Sequence, residues 1–161
     1  MASEQIFSQI SSKIKEIQEL YHRLLLLVGP AGCGKTHVLQ KLHQENLAPL
    51  FNVNLELSRQ MLEIPETKRS YYLPRLLKDL LPLDSDLILL DNTEILFDTS
   101  LRQDPLRLLQ GLSRNRSIIA AWNGHIDGEH LTYAAAEHPE YRRYPARDLK
   151  YLNLPSSRSL L

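Results

Sequence analysis

Residues Gly29 to Thr36 read Gly-Pro-Ala-Gly-Cys-Gly-Lys-Thr, a glycine-rich run that closes on a lysine and a hydroxyl. Several backbone N–H groups can converge on one anion only where the chain takes positive φ and no side chain blocks the approach. Gly32 and Gly34 supply both conditions. Lys35 then offers a point charge to the β and γ phosphates of a nucleotide, and Thr36 offers a hydroxyl to Mg²⁺. Gly29, Pro30, Ala31, Cys33 and His37 complete the expected cradle. The apolar run Leu24 to Val28 precedes it and the helix-like Val38-Leu39-Gln40-Lys41-Leu42 follows. The loop therefore joins a strand to a helix whose positive end faces the phosphates. ATP and Mg²⁺ are the expected ligands, with the choice of base between ATP and GTP left open.

Asp91 ends a second apolar run, Leu87-Ile88-Leu89-Leu90. Ligands of open parallel sheets lie beyond the carboxyl ends of the strands, so this carboxylate is expected to face the loop and share the metal with Thr36, through water. Strand-inserted P-loop hydrolases usually carry glutamate next, to activate the attacking water. Here the residue is Asn92, and an amide cannot take a proton at neutral pH. Hydrolysis is thus expected to be slow unless another carboxylate substitutes. Glu94 is the nearest. If the strand geometry persisted it would point away from the face of Asp91, so Glu94 reads either as the base or as a solvated surface acid. Asn123 ends the next apolar run and reads either as a γ-phosphate sensor or as a turn residue before Gly124. Two arginine pairs, Arg114 with Arg116 and Arg142 with Arg143, are candidates to reach a neighbouring subunit's nucleotide.

Periodicity supplies the elements that must hold these groups. Ile6, Ile10, Ile14, Ile17 and Tyr21 recur at helical spacing, which predicts an amphipathic helix over 4–22. Phe51, Val53, Leu55 and Leu57 alternate, which predicts an edge strand over 50–57. A short helix after Ser58, an exposed turn over 65–70 and a helix over 74–81 ended by Pro82 follow. A helix over 105–112 and a strand over 117–122 come next. Asp127-Gly128 marks a hairpin, and Tyr151 to Leu154 is a weak fifth strand. This alternation predicts a three-layer α/β fold with a parallel sheet.

The 161 residues suffice for one domain with a real core, and 19 basic residues balance 19 acidic ones. No global field draws such a chain to nucleic acid or to an anionic membrane, so either contact needs a local patch. Cys33 stands alone, the longest apolar run is far below a membrane span, and a reducing cytoplasm is the expected compartment. The expected organisation is a single P-loop domain over 1–161, with an N-terminal helix to residue 22 and a hairpin and tail over 123–161. The basic and aromatic tail from Tyr141 to Tyr151 suits a protein interface better than nucleic acid. Residues 155–161 are expected to be mobile.

The loop resembles the form common in AAA+ ATPases. Phe51 to Leu57, Leu90 to Phe97, Gln103 to Leu109, Ser113 to Arg116, and Leu131 to Ala134 through His138 to Tyr144 are similar to the BrxF family, small P-loop proteins of type 3 bacteriophage exclusion (BREX) systems. The similarity spans roughly residues 20–145. It implies an AAA+-like core with other BREX proteins as partners, among them a methyltransferase and larger ATPases. The chain departs from full AAA+ modules in that 39 residues follow Trp122, too few for the usual helical lid, so an AAA+-like core without that lid is expected, in a homo-oligomer or an assembly with those partners. The similarity also implies a role in defence against phage, with any DNA contact made through partners or the basic tail. A weakly hydrolysing ATPase is the expectation; an ATP-dependent assembly switch without turnover and a small-molecule kinase are the alternatives.

Overall fold

The computed structural model describes residues 2–46 and 48–154. The expected mobility of 155–161 lies outside them. Helix α1 (Ala2–Ile17) leads into strand β1 (Leu24–Gly29), then α2 (Lys35–Asn46), β2 (Leu50–Asn52), α3 (Val53–Met61), α4 (Glu66–Leu80) and β3 (Leu87–Asp91). Two short 3₁₀ turns, Glu94–Phe97 and Thr99–Leu101, precede α5 (Pro105–Leu112), β4 (Ser117–Asp127), β5 (His130–Tyr133), β6 (Arg142–Pro145) and β7 (Lys150–Asn153).

The parallel strands run in the order β2-β3-β4-β1-β7, so β4 is inserted between the loop-bearing β1 and the Asp91-bearing β3. The weak fifth strand is real: β7 lies parallel to β1, with Leu27 opposite Leu152. All six residues of β1 are buried, as a strand covered on both faces requires. Alternate side chains serve opposite layers. Leu24, Leu26 and Val28 join Leu57, Leu73, Leu77 and Leu109 on the side of α3, α4 and α5. Leu25 and Leu27 join Ile10, Ile17, Leu39 and Leu42 on the side of α1 and α2.

Four expectations are corrected. Helix α1 stops at Ile17, and Tyr21, 67% exposed, lies beyond it and outside its buried stripe. The predicted edge strand over 50–57 ends at Asn52, whose side chain accepts from Leu55 N at 3.1 Å and caps α3. The buried residues there are Val53, Leu57 and Met61, a helical spacing, while Leu55 faces solvent. The predicted turn over 65–70 is the first turn of α4, which continues through Pro74. Proline frees the carbonyl four residues back, and Gln103 Nε2 donates to Ser70 O at 2.7 Å, satisfying it. Finally, β4 does not end at Trp122 but runs on through Asn123 and Gly124 into a hairpin with β5, which turns at Gly128 (φ 59°) as expected from Asp127-Gly128.

The basic tail contains β6, which pairs antiparallel with β5, so β4, β5 and β6 form a small sheet beyond the parallel one. Its root is Trp122, fully buried, with Nε1 donating to Thr132 O at 3.1 Å and Phe97 stacked on Tyr133 at 3.5 Å between centroids. Burial, with Glu140 and Glu94 adding to it, pushes the Tyr133 hydroxyl up to about 12. A Cβ on Gly124 would strike the Thr132 carbonyl and lie 2.9 Å from the Trp122 indole nitrogen. Gly124→Ala is therefore expected to cost about 1–3 kcal/mol by overpacking, measured as a lower thermal midpoint. Among the described residues no helix follows β4, hence no helical lid, and no helix is long and apolar enough to cross a membrane.

Candidate functional site

A cavity of about 470 Å³ opens at the carboxyl ends of β1 and β3, beside the middle of β4. One wall is the loop, lined by Ala31, Gly32, Gly34, Lys35, Thr36 and His37; the other is Asp91, Asn92, Glu94 and Asn123, with Gln40 of α2 at the rim. Gly32 and Gly34 take φ of 79° and 104°, the left-handed conformations expected of a phosphate nest. Gly29 is required for a different reason, since a Cβ there would lie 2.5 Å from Cys33 Sγ and 3.3 Å from Leu154 O.

Lys35 is 6% exposed, and its ammonium donates to the carbonyls of Gly29 and Pro30, both at 2.8 Å, with Cys33 Sγ at 3.6 Å. Thr36 Oγ1 donates to Asp91 Oδ2 at 2.7 Å. The two residues expected to share a metal therefore touch. Among the described residues no group of three or more His, Cys, Asp or Glu is placed to hold a metal unaided. A hydroxyl and one carboxylate nonetheless fit Mg²⁺, which keeps waters and completes its shell with phosphate oxygens.

The segment after Asp91 departs most from expectation. Asn92 takes φ 51°, the left-handed region that asparagine tolerates better than most residues, and its N–H returns to Asp91 Oδ1 at 2.9 Å. This breaks the strand. Thr93 Oγ1 then anchors on Ala121 O at 2.7 Å, and the 3₁₀ turn swings Glu94 back toward the loop. Glu94 is not the outward-facing acid that a continuing strand would give. Asn54 Nδ2 donates to its Oε2 at 2.9 Å, and Asn123 Nδ2 donates to its Oε1.

Asn123 sits inside β4 opposite Gly29, so it is a strand residue at the cavity and not a turn residue. Asn54 was not anticipated, because the strand reading of 50–57 gave it no role. It lies in the first turn of α3, its Oδ1 accepts from Ile95 N at 2.7 Å, and its own N–H donates to Asn92 O at 2.8 Å. The signal that finds it is Asn52 as a helix cap followed by Val53, Leu57 and Met61.

The arginine pairs stand apart from this cavity. Arg114 and Arg116 precede β4 and so lie at the amino end of a sheet whose carboxyl end carries the loop, about 20 Å away along the strand. Arg142 Nη2 donates to Gln103 O at 2.7 Å within its own chain, and Arg143 is exposed, 3.2 Å from His130 Nδ1. Neither pair lines this cavity.

No protein-family model and no curated protein matches the sequence. Solved structures do. The chain is similar to a DNA replication initiation factor, with a TM-score of 0.54 at 17% identity over 94% of this chain and 45% of that one. It also aligns with AMPPCP-bound DnaA from Aquifex aeolicus (TM-score 0.49, 15% identity, 94% and 45% covered) and with PCH-2 from C. elegans (0.48, 19%, 96% and 44%). The chain shares with the first of these a three-layer α/β fold in which a P-loop follows a central strand of a parallel sheet. The chain spans less than half the length of each of these proteins.

Proposed function

We propose that this chain binds ATP with Mg²⁺ in the loop over Gly29 to Thr36 and hydrolyses it slowly, with Glu94 as the base. Lys35 would exchange its two carbonyl partners for β and γ phosphate oxygens, and the amides of Gly32 to Thr36 would receive the rest. Mg²⁺ held by Thr36 and Asp91 would neutralise charge on the transferring phosphoryl group. Glu94 orders the attacking water and takes its proton, while Asn54 and Asn123 fix the carboxylate in place. The observation that carries this reading is the return of Glu94 into the cavity that holds Lys35, Thr36 and Asp91.

Each oxygen of Glu94 already accepts one amide hydrogen bond, so only its remaining lone pairs are left for a water. That same fact favours the second reading, an assembly switch that binds ATP without useful turnover. A small-molecule kinase is less well supported. Its arginine-bearing lid would have to come from 65–75, but there Arg69 Nε bonds Met61 O and Ile64 O and Arg75 pairs with Asp79 inside α4.

The resemblance of the segments beyond the loop to BrxF supports a cytoplasmic place in BREX defence against phage, in a homo-oligomer or beside other BREX proteins, with DNA contacted through those partners. Arg143, exposed on β6, is the arginine best placed to reach a neighbour's nucleotide. Phosphate release from Mg·ATP, compared between the wild type and Glu94→Gln, separates hydrolase from switch, and calorimetry without heat for either nucleotide overturns both. A thiol probe gives an independent check. Alkylation of Cys33 is expected to slow about a hundredfold at Mg·ATP concentrations a hundred times Kd, followed by mass spectrometry.

A further inference from the structure

A second cavity, again about 470 Å³, lies between the last turns of α4 and α5 and the turn that enters β4. It sits at the opposite end of the sheet from the loop and owes nothing to the nucleotide reading. Lys78, Arg107, Arg114 and Arg116 line it, and no carboxylate does. In a chain with equal numbers of acids and bases that imbalance is local and unshared. Arg107 has Asp104 at 3.8 Å, whereas Lys78, Arg114 and Arg116 make no ion pair among the described residues.

The two arginines are held in place. Arg116 Nη1 donates to Pro82 O at 2.6 Å, which leaves the rest of its fork free, and the Arg114 guanidinium lies 4.8 Å from the centroid of the Tyr21 ring. Such planar, preorganised donors match phosphate oxygens. Beneath them Leu77, Leu81, Leu108 and Leu112 form an apolar floor. Tyr21, 67% exposed, carries Arg114 over its ring and meets His22 edge-on, and the rest of its ring is open to solvent at the side of Arg114.

We propose that this groove binds single-stranded nucleic acid, with phosphates on the cationic rim, an unstacked base on the leucine floor and another against Tyr21. Cations beside an exposed ring are the elements of single-strand recognition. A duplex keeps its bases stacked inside and could touch only the rim, and an acidic peptide would leave the tyrosine face unused.

The test is fluorescence anisotropy of a labelled oligothymidylate over a salt series, with a duplex and a polyglutamate peptide as competitors. The single strand is expected to bind and to resist both competitors. Arg114→Ala with Arg116→Ala should weaken it at least tenfold and flatten the salt slope by about 1.4, roughly 0.7 for each phosphate lost. Tyr21→Ala should weaken it about tenfold, while Arg143→Ala with Arg147→Ala, in the basic tail, should change it less than about twofold. Should the double arginine variant fail to melt cooperatively, Lys78→Ala with Arg107→Ala, both exposed, gives the same reading. No binding by the wild type, equal displacement by duplex or polyglutamate, or a loss that follows the tail variant overturns the proposal.

Discussion

Lys35→Ala is expected to abolish the response of this protein to nucleotide without unfolding it. The ammonium is buried and satisfied by two carbonyls, so its removal relieves a desolvated charge but leaves the Gly29 and Pro30 carbonyls to water in the vacated space. The net effect on intrinsic stability should be small in either direction. Binding is another matter, because charge-assisted hydrogen bonds are worth about 1.5–3 kcal/mol each. Losing two weakens affinity by about a hundredfold or more. In the wild type, Mg·ATP at a hundred times Kd should add about 2.7 kcal/mol of stability, a rise of roughly 5–10 °C in a domain of this size. The variant should melt close to the wild type without ligand and show almost none of that rise. A variant that still responds fully would remove the loop from the account.

Glu94→Gln is expected to keep that thermal response and lose turnover by about 10²–10⁴-fold, the range for removing a general base. Glutamine preserves the shape, its Oε1 can accept from Asn54 and its Nε2 can donate to Asn123 once that amide flips, so a selective loss of rate isolates the proton transfer. Equal rates in the two proteins would exclude Glu94 as the base. Asn92→Glu, attractive from the sequence because it restores the usual residue, is expected to bring no gain. Its φ of 51° disfavours glutamate, and the carboxylate of Glu94 already occupies the cavity from two residues further along the chain.

The loop, the strands carrying Asp91 and Asn123, helices α2 and α5 and the β4–β5 hairpin were legible because each is a local pattern: an apolar run, a helical period or a turn dipeptide. The errors arose where one local pattern imitated another. Phe51, Val53, Leu55 and Leu57 alternate as a strand does, but the cap at Asn52 and the packing of Val53, Leu57 and Met61 make a helix. That substitution hid Asn54. Pro74 was read as a helix start because its cost inside α4 is offset by Gln103, which is remote in sequence. The orientation of Glu94 stays open in the sequence because nothing nearby announces a left-handed Asn92. Its geometry depends on contacts with Asn54, Ala121 and Asn123, all made by the folded chain.

Strand β4 is one unbroken ribbon of 11 residues, sharing its first half with β1 and β3 and its second with β5. Asn123 marks the crossing between them, and Gly124 is locked against Thr132. With no break in the ladder at that joint, the outer sheet continues the strand that forms one wall of the cavity. A displacement of β6 is expected to pass through β5 and β4 to the Asn123 amide and so to its hydrogen bond with Glu94.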